Sequence, residues 1–564
     1  MTGDSRERRA SAAPCGAGGE RIVVVGAGIA GLAVAGLLSR DGHRVTVLER
    51  GERCGGRAGR YEVDGFRFDT GPSWYLMPEV FEHFFRLMGT STGEALRLEA
   101  LDPAYRVFGE NYDEPLEIRS DLEETVRVFE SVEPGAGKRI RRYLASAERT
   151  YRVAARHFLY TSYGSPASFL QLLDREVLAH LPQLAYQLLG SLRWLNHRTV
   201  RDTRLRQILG YPAVFLATQP RRAPALYHLM SYLDLADSVQ YPQGGFSTII
   251  DAVEDLAAGH GARITLGAEV TRITTDAPSP EERRGGPAGA RTRRRRPRGR
   301  ARVTGVTWRD SSSGREHHEP ADRVISAADL HHTETQLLSR SQQTYPERYW
   351  ARRQTGPGAV LVLLGVRGEL PELAHHSLMF TEDWDENFAA IFDQPGRIPD
   401  PASIYVCRPS MTDPTVAPEG HENLFVLVPV AADVGIGHGG DDGGGAAGVE
   451  DVADQAIRQI SRWAGIPDLE QRVVVRRTIG PADFAADYNA WRGNVLGPGH
   501  TLRQSAFLRG RMRSRTIDGL HYCGSTTVPG IGLPMCLISA ENVLKDVRGD
   551  TSTGPLPESG ERRG

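Results

Sequence analysis

Residues Arg21 to Glu49 read RIVVVGAGIAGLAVAGLLSRDGHRVTVLE: a β-branched strand, a turn carrying Gly26, Gly28 and Gly31, an alanine-rich helix, and a second strand ending in an acid. That order restricts the chain to an α/β architecture with a parallel sheet and places a dinucleotide site at the turn. Gly26 permits the tight turn, Gly28 lets the backbone approach a pyrophosphate, and Gly31 lets the helix pack closely on the strand. Ala27, Ile29 and Ala30 complete the turn, and the helix N-terminus faces the phosphates with unpaired N–H groups. Glu49 lies eighteen residues past Gly31, near the spacing of a carboxylate that accepts hydrogen bonds from ribose hydroxyls. The uncharged run from Ile22 to Leu38 has nearly the length of an export signal or an anchor. Four glycines interrupt it and a strand with a terminal acid follows at once, which favours strand and helix.

A chain of 564 residues exceeds one ordinary core, and 40% hydrophobic content suffices for two intimately packed domains. Lys+Arg 68 against Asp+Glu 70 leaves a net charge of −2, so no global charge calls for nucleic acid or another polyanion. Cys15, Cys54, Cys407, Cys523 and Cys536 are odd in number, scattered and without a CxxC. Neither a disulfide framework nor a metal site is expected, and a reduced, intracellular setting fits best. No other stretch reaches the roughly 18–20 apolar residues that span a bilayer, so membrane contact should be peripheral.

Residues 1–19 and 551–564 are polar, small and Gly/Pro/Ser-rich, and read as disordered tails. Residues 276–301 form an insertion between the strand-like runs GARITLGAEVTRI and RVTGVTWRD, with eight arginines among the twelve residues from Arg291 to Arg302. It reads as a solvated loop, with anionic lipid as the alternative; no interleaved aromatics offer bases a stacking surface, which argues against nucleic acid. The run GIGHGGDDGGGAAG after Val434 reads as a flexible connection. Phe169, Leu172, Leu173, Val177, Leu181, Leu184, Leu188, Leu192 and Leu195 recur at helical spacing. Upstream, Ile140, Leu144, Ala147, Tyr151, Ala154 and Phe158 line one face of a helix whose other faces carry Arg141, Arg142, Arg149, Arg152 and Arg156. Such a helix suits a membrane surface or a solvated position packed on a core.

Three further segments carry cofactor signals that a nicotinamide dinucleotide alone would not need. Arg50-Gly51-Glu52-Arg53-Cys54-Gly55-Gly56-Arg57 again clears space with paired glycines and offers arginines to phosphate oxygens. Phe68-Asp69-Thr70-Gly71-Pro72-Ser73 supplies a rigid loop suited to the edge of an isoalloxazine ring. Near the C-terminus, Leu520 to Ser525 reads as a strand and turn. Val528-Pro529-Gly530-Ile531-Gly532-Leu533-Pro534 and a helix from about Met535 to Val547 follow, setting another helix N-terminus against a flavin.

With these motifs the chain resembles the FAD-dependent phytoene desaturase family of bacterial carotenoid synthesis, related to amine oxidases in its cofactor domain. The likeness extends from about Arg21 to Asp546 and includes RRAPALYHLMSYLDLADSVQYPQGG (Arg221–Gly245), ELAHHSLMF (Glu372–Phe380), MTDPTVAPEG (Met411–Gly420), PADFAADYNAWRGNVLG (Pro481–Gly497) and GSTTVPGIGLP. It implies a Rossmann-like FAD domain assembled from 20–115, 241–335 and 481–550, with 116–240 and 336–480 inserted as a mostly helical or mixed substrate domain facing the membrane. The cofactor residues it implies are Gly26 to Gly31, Glu49, Arg50, Gly55, Gly56, Arg57, Gly71, Pro72, Ser73, Val270, Gly524, Gly532, Leu533, Pro534 and Met535. This sequence departs from many relatives at Val528, where they carry histidine, and at Met535-Cys536-Leu537, where they carry small residues.

The resemblance implies dehydrogenation of CH2–CH2 units in a C40 carotene such as phytoene, towards lycopene. Hydride passes to the flavin, a hydrophobic tunnel binds the substrate, and quinone or oxygen reoxidises the cofactor. It further implies a cytoplasmic protein held peripherally at the inner face of the cell membrane, with oligomeric state open. Asp329, His376, Asp413 and Asp487 are the candidate proton acceptors, each equally suited to a cap, turn or core role. Alternatives on the same scaffold are carotenoid isomerisation, ketolation, amine oxidation, or carotenoid and lipid binding without turnover.

Overall fold

The structure, a computed structural model, describes residues 19–161, 163, 175–237, 239–276, 300–394 and 396–558. One sheet is parallel, with strands in the order Leu520–Tyr522, Arg323–Ser326, Arg21–Val25, Arg44–Leu48 and Arg263–Thr265. Alternation along the first strand divides two cores. Ile22 and Val24 pack with the helices Ile29–Arg40, Ser247–Gly259 and Leu533–Arg548. Val23 and Val25 pack with Val270, Ile273, Val303 and Val306 of an antiparallel layer built on Ala268–Thr275, Ala301–Asp310 and Glu316–Pro320. The sheet is thus buried on both faces, as a β-branched parallel strand requires.

A second sheet has seven strands, ordered Val473–Ile479, Gly358–Arg367, His421–Val430, Ile404–Cys407, His376–Phe380, Tyr105–Gly109 and Leu116–Ile118. In Gly358–Arg367 alternate residues separate again. Val360, Val362, Leu364 and Val366 meet the helix Ala447–Ala464, while Ala359, Leu361 and Leu363 face Phe66, Phe68 and Phe484. The sequence reading ended the first cofactor segment at residue 115, but Tyr105–Gly109 pairs in parallel with Ser377–Phe380 and belongs to this second sheet. Short, isolated strands carry no signal of which sheet receives them.

Two other expectations differ from the structure, and one left open between two readings is decided by it. The residues after Val434 are pinned rather than loose: Asp483 accepts from Gly439 N–H at 2.7 Å, and Thr478 N–H donates to the Gly440 carbonyl at 2.9 Å. The C-terminal segment is not free from residue 551. Buried Lys545 donates to the carbonyls of Tyr160, Ser552 and Gly554, each at 2.7 Å, and Leu556 is buried in the core. A buried ammonium needs such acceptors, and the returning chain supplies two of the three. The arginine-lined helix, Ala136–Val153 continuing through a wider turn at Ala154–Leu159, buries Ile140, Leu144, Ala147 and Tyr151, so its apolar face is not free for lipid.

The leucine-rich stretch divides into Arg175–Leu189 and Leu192–Thr199 at Gly190-Ser191. Residues 277–299, with most of the arginine cluster, lie outside the described residues, as do Phe169, Leu172 and Leu173. Among the described residues no helix is long and apolar enough to cross a membrane.

Candidate active site

At the carboxyl end of Arg21–Val25 the chain turns through Gly26, whose N–H donates to the Leu48 carbonyl at 2.8 Å. A Cβ on Gly31 would lie 2.0 Å from the Gly26 carbonyl oxygen, so only glycine lets the helix approach this closely. A Cβ on Gly28 would meet only the Gly55 carbonyl oxygen, at 3.8 Å, leaving an open cradle at an N-terminus that no side chain caps. Glu49 closes the turn from beneath: Oε2 accepts from Ala27 N–H and Oε1 from Gly51 N–H, each at 2.7 Å. A carboxylate retains further lone pairs, so Glu49 shapes the loop and still faces the groove.

Gly55 N–H donates to the Ala27 carbonyl at 2.9 Å, which brings the second glycine pair against the first. Arg57 follows, with Nε and Nη2 buried and without hydrogen-bond partners, and Nη2 3.8 Å from Asp329. Unspent guanidinium donors beside an open glycine cradle fit the phosphates of a dinucleotide. Arg50 is deployed otherwise. Its Nη2 donates to the carbonyls of Ala486 and Asp487, tying the groove to the helix Pro481–Tyr488.

The uncapped helix Leu533–Arg548 starts beyond Gly532 and faces the same space from the far end of the chain. Gly26, Gly28, Ile29, Ala30, Glu49, Arg50, Gly55, Gly56, Arg57, Gly71, Pro72, Ser73, Val270, Gly524, Gly532, Leu533, Pro534 and Met535 all line one cavity of about 760 Å3. Ala27 and Gly31 stand behind it and hold the turn. Beyond the cradle the walls become apolar, with Leu361, Phe425 and Leu427 from the seven-stranded sheet and Leu226, Met230 and Leu233 from the helical region.

The four candidate proton acceptors part company. Asp329 caps the helix Leu330–Thr335, accepting from His331 N–H at 2.9 Å and His332 N–H at 3.3 Å. Asp413 caps a short turn, accepting from Thr415 N–H at 2.9 Å and from Gly244 N–H, away from the cavity. His376 is shut behind its neighbours: Trp74 stacks on it with centroids 4.3 Å apart, and its Nδ1 lies 2.8 Å from Tyr405 Oη. Burial and the adjacent His375 hold its imidazole well below the ordinary range. Asp487 does line the cavity, near Arg50, and burial followed by Asp483 raises its carboxyl.

Sequence reasoning passed over His500, Tyr227, Arg509 and Tyr405. His500, Tyr227 and Tyr405 line the cavity. Arg509 is buried with its guanidinium donating to the carbonyls of Ser525, Pro498 and Gln504, and burial lowers it to about 10. Residues 500 and 509 sit in a polar stretch of short turns with no spacing to mark them, whereas Tyr227 and Tyr405 are ordinary core aromatics by composition.

The family model of flavin containing amine oxidoreductase matches residues 29–547. The carotenoid 3,4-desaturase of Haloarcula japonica is 39% identical over 527 residues, 93% of this chain and 98% of that protein. The zeta-carotene-forming phytoene desaturase of Myxococcus xanthus is 34% identical over 531 residues, 93% of each chain. An oxidoreductase from Methanosarcina mazei shares the fold, with a TM-score of 0.58 at 17% identity over 93% of this chain and all of that one. With a glycine cradle and unspent arginine donors that fit the cofactor, the chain belongs to the flavin-containing amine oxidoreductases and, within them, to the bacterial carotenoid desaturase family of FAD-dependent enzymes.

Proposed function

We propose that the protein dehydrogenates CH2–CH2 units of a C40 carotene such as phytoene, extending its conjugation towards lycopene. One observation carries this reading: the dinucleotide cradle opens without interruption into an apolar cavity walled by leucine and phenylalanine. A carotene has no polar handle, so its binding must come from buried apolar area at about 25 cal/mol per Å2. Bound FAD supplies a hydride acceptor, reoxidised by quinone or oxygen. Gly28, Gly55 and Arg57 would hold its phosphates, Glu49 its ribose, and the start of Leu533–Arg548 its ring. The apolar walls align the chain and keep water from the reacting carbons.

The mouth supports docking at the inner face of the cell membrane. Leu188 lines the cavity and is 39% exposed, next to Leu189 at 83%, Tyr186 at 49% and Trp194 at 36%, with the Arg198 guanidinium 5.0 Å above the Trp194 ring. Leucines with Trp, Tyr and Arg at a hydrophobic opening suit a lipid headgroup boundary. The higher identity to a protein named a 3,4-desaturase favours a second reading, removal of hydrogen across the C3–C4 bond of a more unsaturated carotene. Anaerobic mixing of the FAD-loaded protein with liposomes of phytoene, lycopene or another late carotene tests both, by flavin bleaching and extracted pigment. Bleaching with phytoene supports the first reading, and bleaching with the later carotene alone supports the second. An oxidised flavin with every carotene refutes both.

A further inference from the structure

We propose that His375, His376 and Cys407 form a binding site for a thiophilic divalent cation of the Zn2+ class, independent of the reading above. One ligand atom from each, two ring nitrogens and the thiol sulfur, lie within 4.8 Å of one another, and the three residues are at most 1% exposed. Cys407 of the strand Ile404–Cys407 stands directly across from His376 of His376–Phe380, so their side chains share a face of the seven-stranded sheet. Alternation along a strand would send the preceding residue to the opposite face. His375 instead lies just outside the strand, its carbonyl accepting from Arg408 N–H at 2.7 Å, and its ring turns back against His376 with centroids 4.6 Å apart. Because the three residues meet across two strands, no CxxC or similar spacing marks them along the chain.

Both imidazoles are held as metal ligands are held. His375 Nδ1 lies 2.8 Å from Thr412 Oγ1 and His376 Nδ1 lies 2.8 Å from Tyr405 Oη, while Nε2 of each ring is buried without a hydrogen-bond partner. One ring nitrogen fixed by an oxygen and the other left bare is what outer-shell partners impose on metal-binding histidines. Two bare buried nitrogens in adjacent residues call for an occupant. Burial, reinforced by Arg408 at His375 and by His375 at His376, keeps both rings neutral near physiological pH, each with a lone pair to give. Arg408 is itself paired with Glu422 at 3.2 Å, and Asp413 beside His375 and Asp69 beside Cys407 bring negative charge towards a cation. The Cys407 thiol, pushed up to about 12 chiefly by burial, passes its proton to water as the cation takes the thiolate.

Two imidazoles and a thiolate select a borderline-soft ion such as Zn2+ over Mg2+ or Ca2+. Ligands at about 2.0–2.3 Å from a tetrahedral zinc stand roughly 3.3–3.8 Å apart, so the widest separation here closes by about 1 Å on binding. A void of about 10 Å3, the least that holds one water, borders Cys407, Asp69 and Tyr241 and leaves room for a water as fourth ligand. The void shares Gly71, Ser73 and Phe425 with the large cavity, which gives the buried cluster its route of entry. Tyr405 Oη also lies 2.7 Å from Ser73 Oγ, so an ion on His376 braces the loop at the cavity edge.

The full-length chain, incubated with Zn2+ and desalted, should retain about one zinc by elemental analysis, and zinc should raise its Tm. X-ray absorption at the zinc edge should find one sulfur, with nitrogen or oxygen as the other neighbours. Co2+ in place of zinc should show the intense visible bands of a four-coordinate ion, at wavelengths beyond the absorption of oxidised flavin. Cys407→Ser and His375→Asn should each abolish those bands and weaken zinc binding by about a hundredfold or more, at unchanged FAD content. Retention of less than about a tenth of an equivalent by the wild-type chain overturns the proposal. So does a zinc with no sulfur neighbour, a result that stands even where the variants fail to fold. Wild-type cobalt bands in Cys407→Ser overturn it as well, because the ion then sits adventitiously at another cysteine or at exposed histidines. None of these readouts involves a carotene, so failure of the desaturase reading leaves them unchanged.

Discussion

Glu49→Gln should weaken FAD binding by about 10²–10⁴-fold without disturbing the fold. Both carboxylate oxygens accept backbone N–H groups at 2.7 Å, one from Ala27 and one from Gly51. Glutamine keeps one acceptor and turns an NH2 group on the other donor. The change removes one charge-assisted bond, worth about 1.5–3 kcal/mol, and leaves one buried N–H facing another, at about 1–3 kcal/mol more. A sum of roughly 2.5–6 kcal/mol corresponds to about two to four decades at about 1.4 kcal/mol per decade. In the FAD-free protein the loop can relax towards water. Binding requires the closed turn, with Gly55 N–H on the Ala27 carbonyl, so the cost falls on the Kd. Flavin-fluorescence titration of the FAD-free protein measures it. A Kd within threefold of wild type, at unchanged Tm, would show that Glu49 does not shape the cradle.

Leu361→Trp places an indole in the apolar half of the cavity; FAD content should stay stoichiometric while kcat/KM for the carotene falls tenfold or more, and loss of FAD instead would put Leu361 on the cofactor side. Asp234 is pushed up to about 7 by burial, with Oδ1 unpaired and Oδ2 accepting from Tyr105 at 3.0 Å and Tyr211 at 2.6 Å. The folded chain then binds this proton more tightly than the unfolded chain does at its ordinary value of about 3.9. Stability therefore falls as pH rises from about 4 through about 7, and Asp234→Asn should flatten that slope in denaturant midpoints between pH 5 and 8. Ending the chain at Asp550 removes two of the three Lys545 acceptors and the buried Leu556, and should cost about 4 kcal/mol or more in urea unfolding. Leu189→Glu should reduce co-sedimentation with anionic vesicles several-fold and leave turnover on detergent-solubilised carotene intact.

The glycine turns at one end of the cavity were legible because their geometry is local. Gly26, Gly28 and Gly31 act within one turn, and the motif from Gly524 to Pro534 reaches the same cavity although some 500 residues intervene. Residues whose roles depend on who packs against them were not legible. Asp329 and Asp413 looked like acids in family-like segments and are caps, because a carboxylate beside free N–H groups is drawn to them first. The basic helix suited a membrane surface and a position packed on a core equally; its apolar face packs on the core and, at Ala154 and Phe158, borders the cavity, because one-dimensional periodicity marks a buried face without saying what buries it. Cys407 became visible as a partner of His375 and His376 only when strand pairing set them together in three dimensions.

Strand order explains why the two halves of the cavity meet where they do. From Arg21–Val25 the chain moves through the helix Ile29–Arg40 to Arg44–Leu48 on one side, whereas the parallel strand Arg323–Ser326 lies on the other, so the strand order reverses between the first strand and Arg323–Ser326. A crevice opens outside the carboxyl ends of strands at such a reversal, and Val25, Ala327 and Ala328 line the cavity there. The returning C-terminal strand Leu520–Tyr522 pairs with Arg323–Ser326, which delivers the Gly524 turn and the start of Leu533–Arg548 to the same crevice. The seven-stranded sheet turns Leu361, Phe425 and Leu427 towards it and gives its opposite face to the helix Ala447–Ala464. The glycine-lined end of the cavity is therefore set by the topology of one sheet and its apolar walls by one face of the other. Substitutions on the second sheet should change which carotene is taken while leaving the cradle for FAD intact.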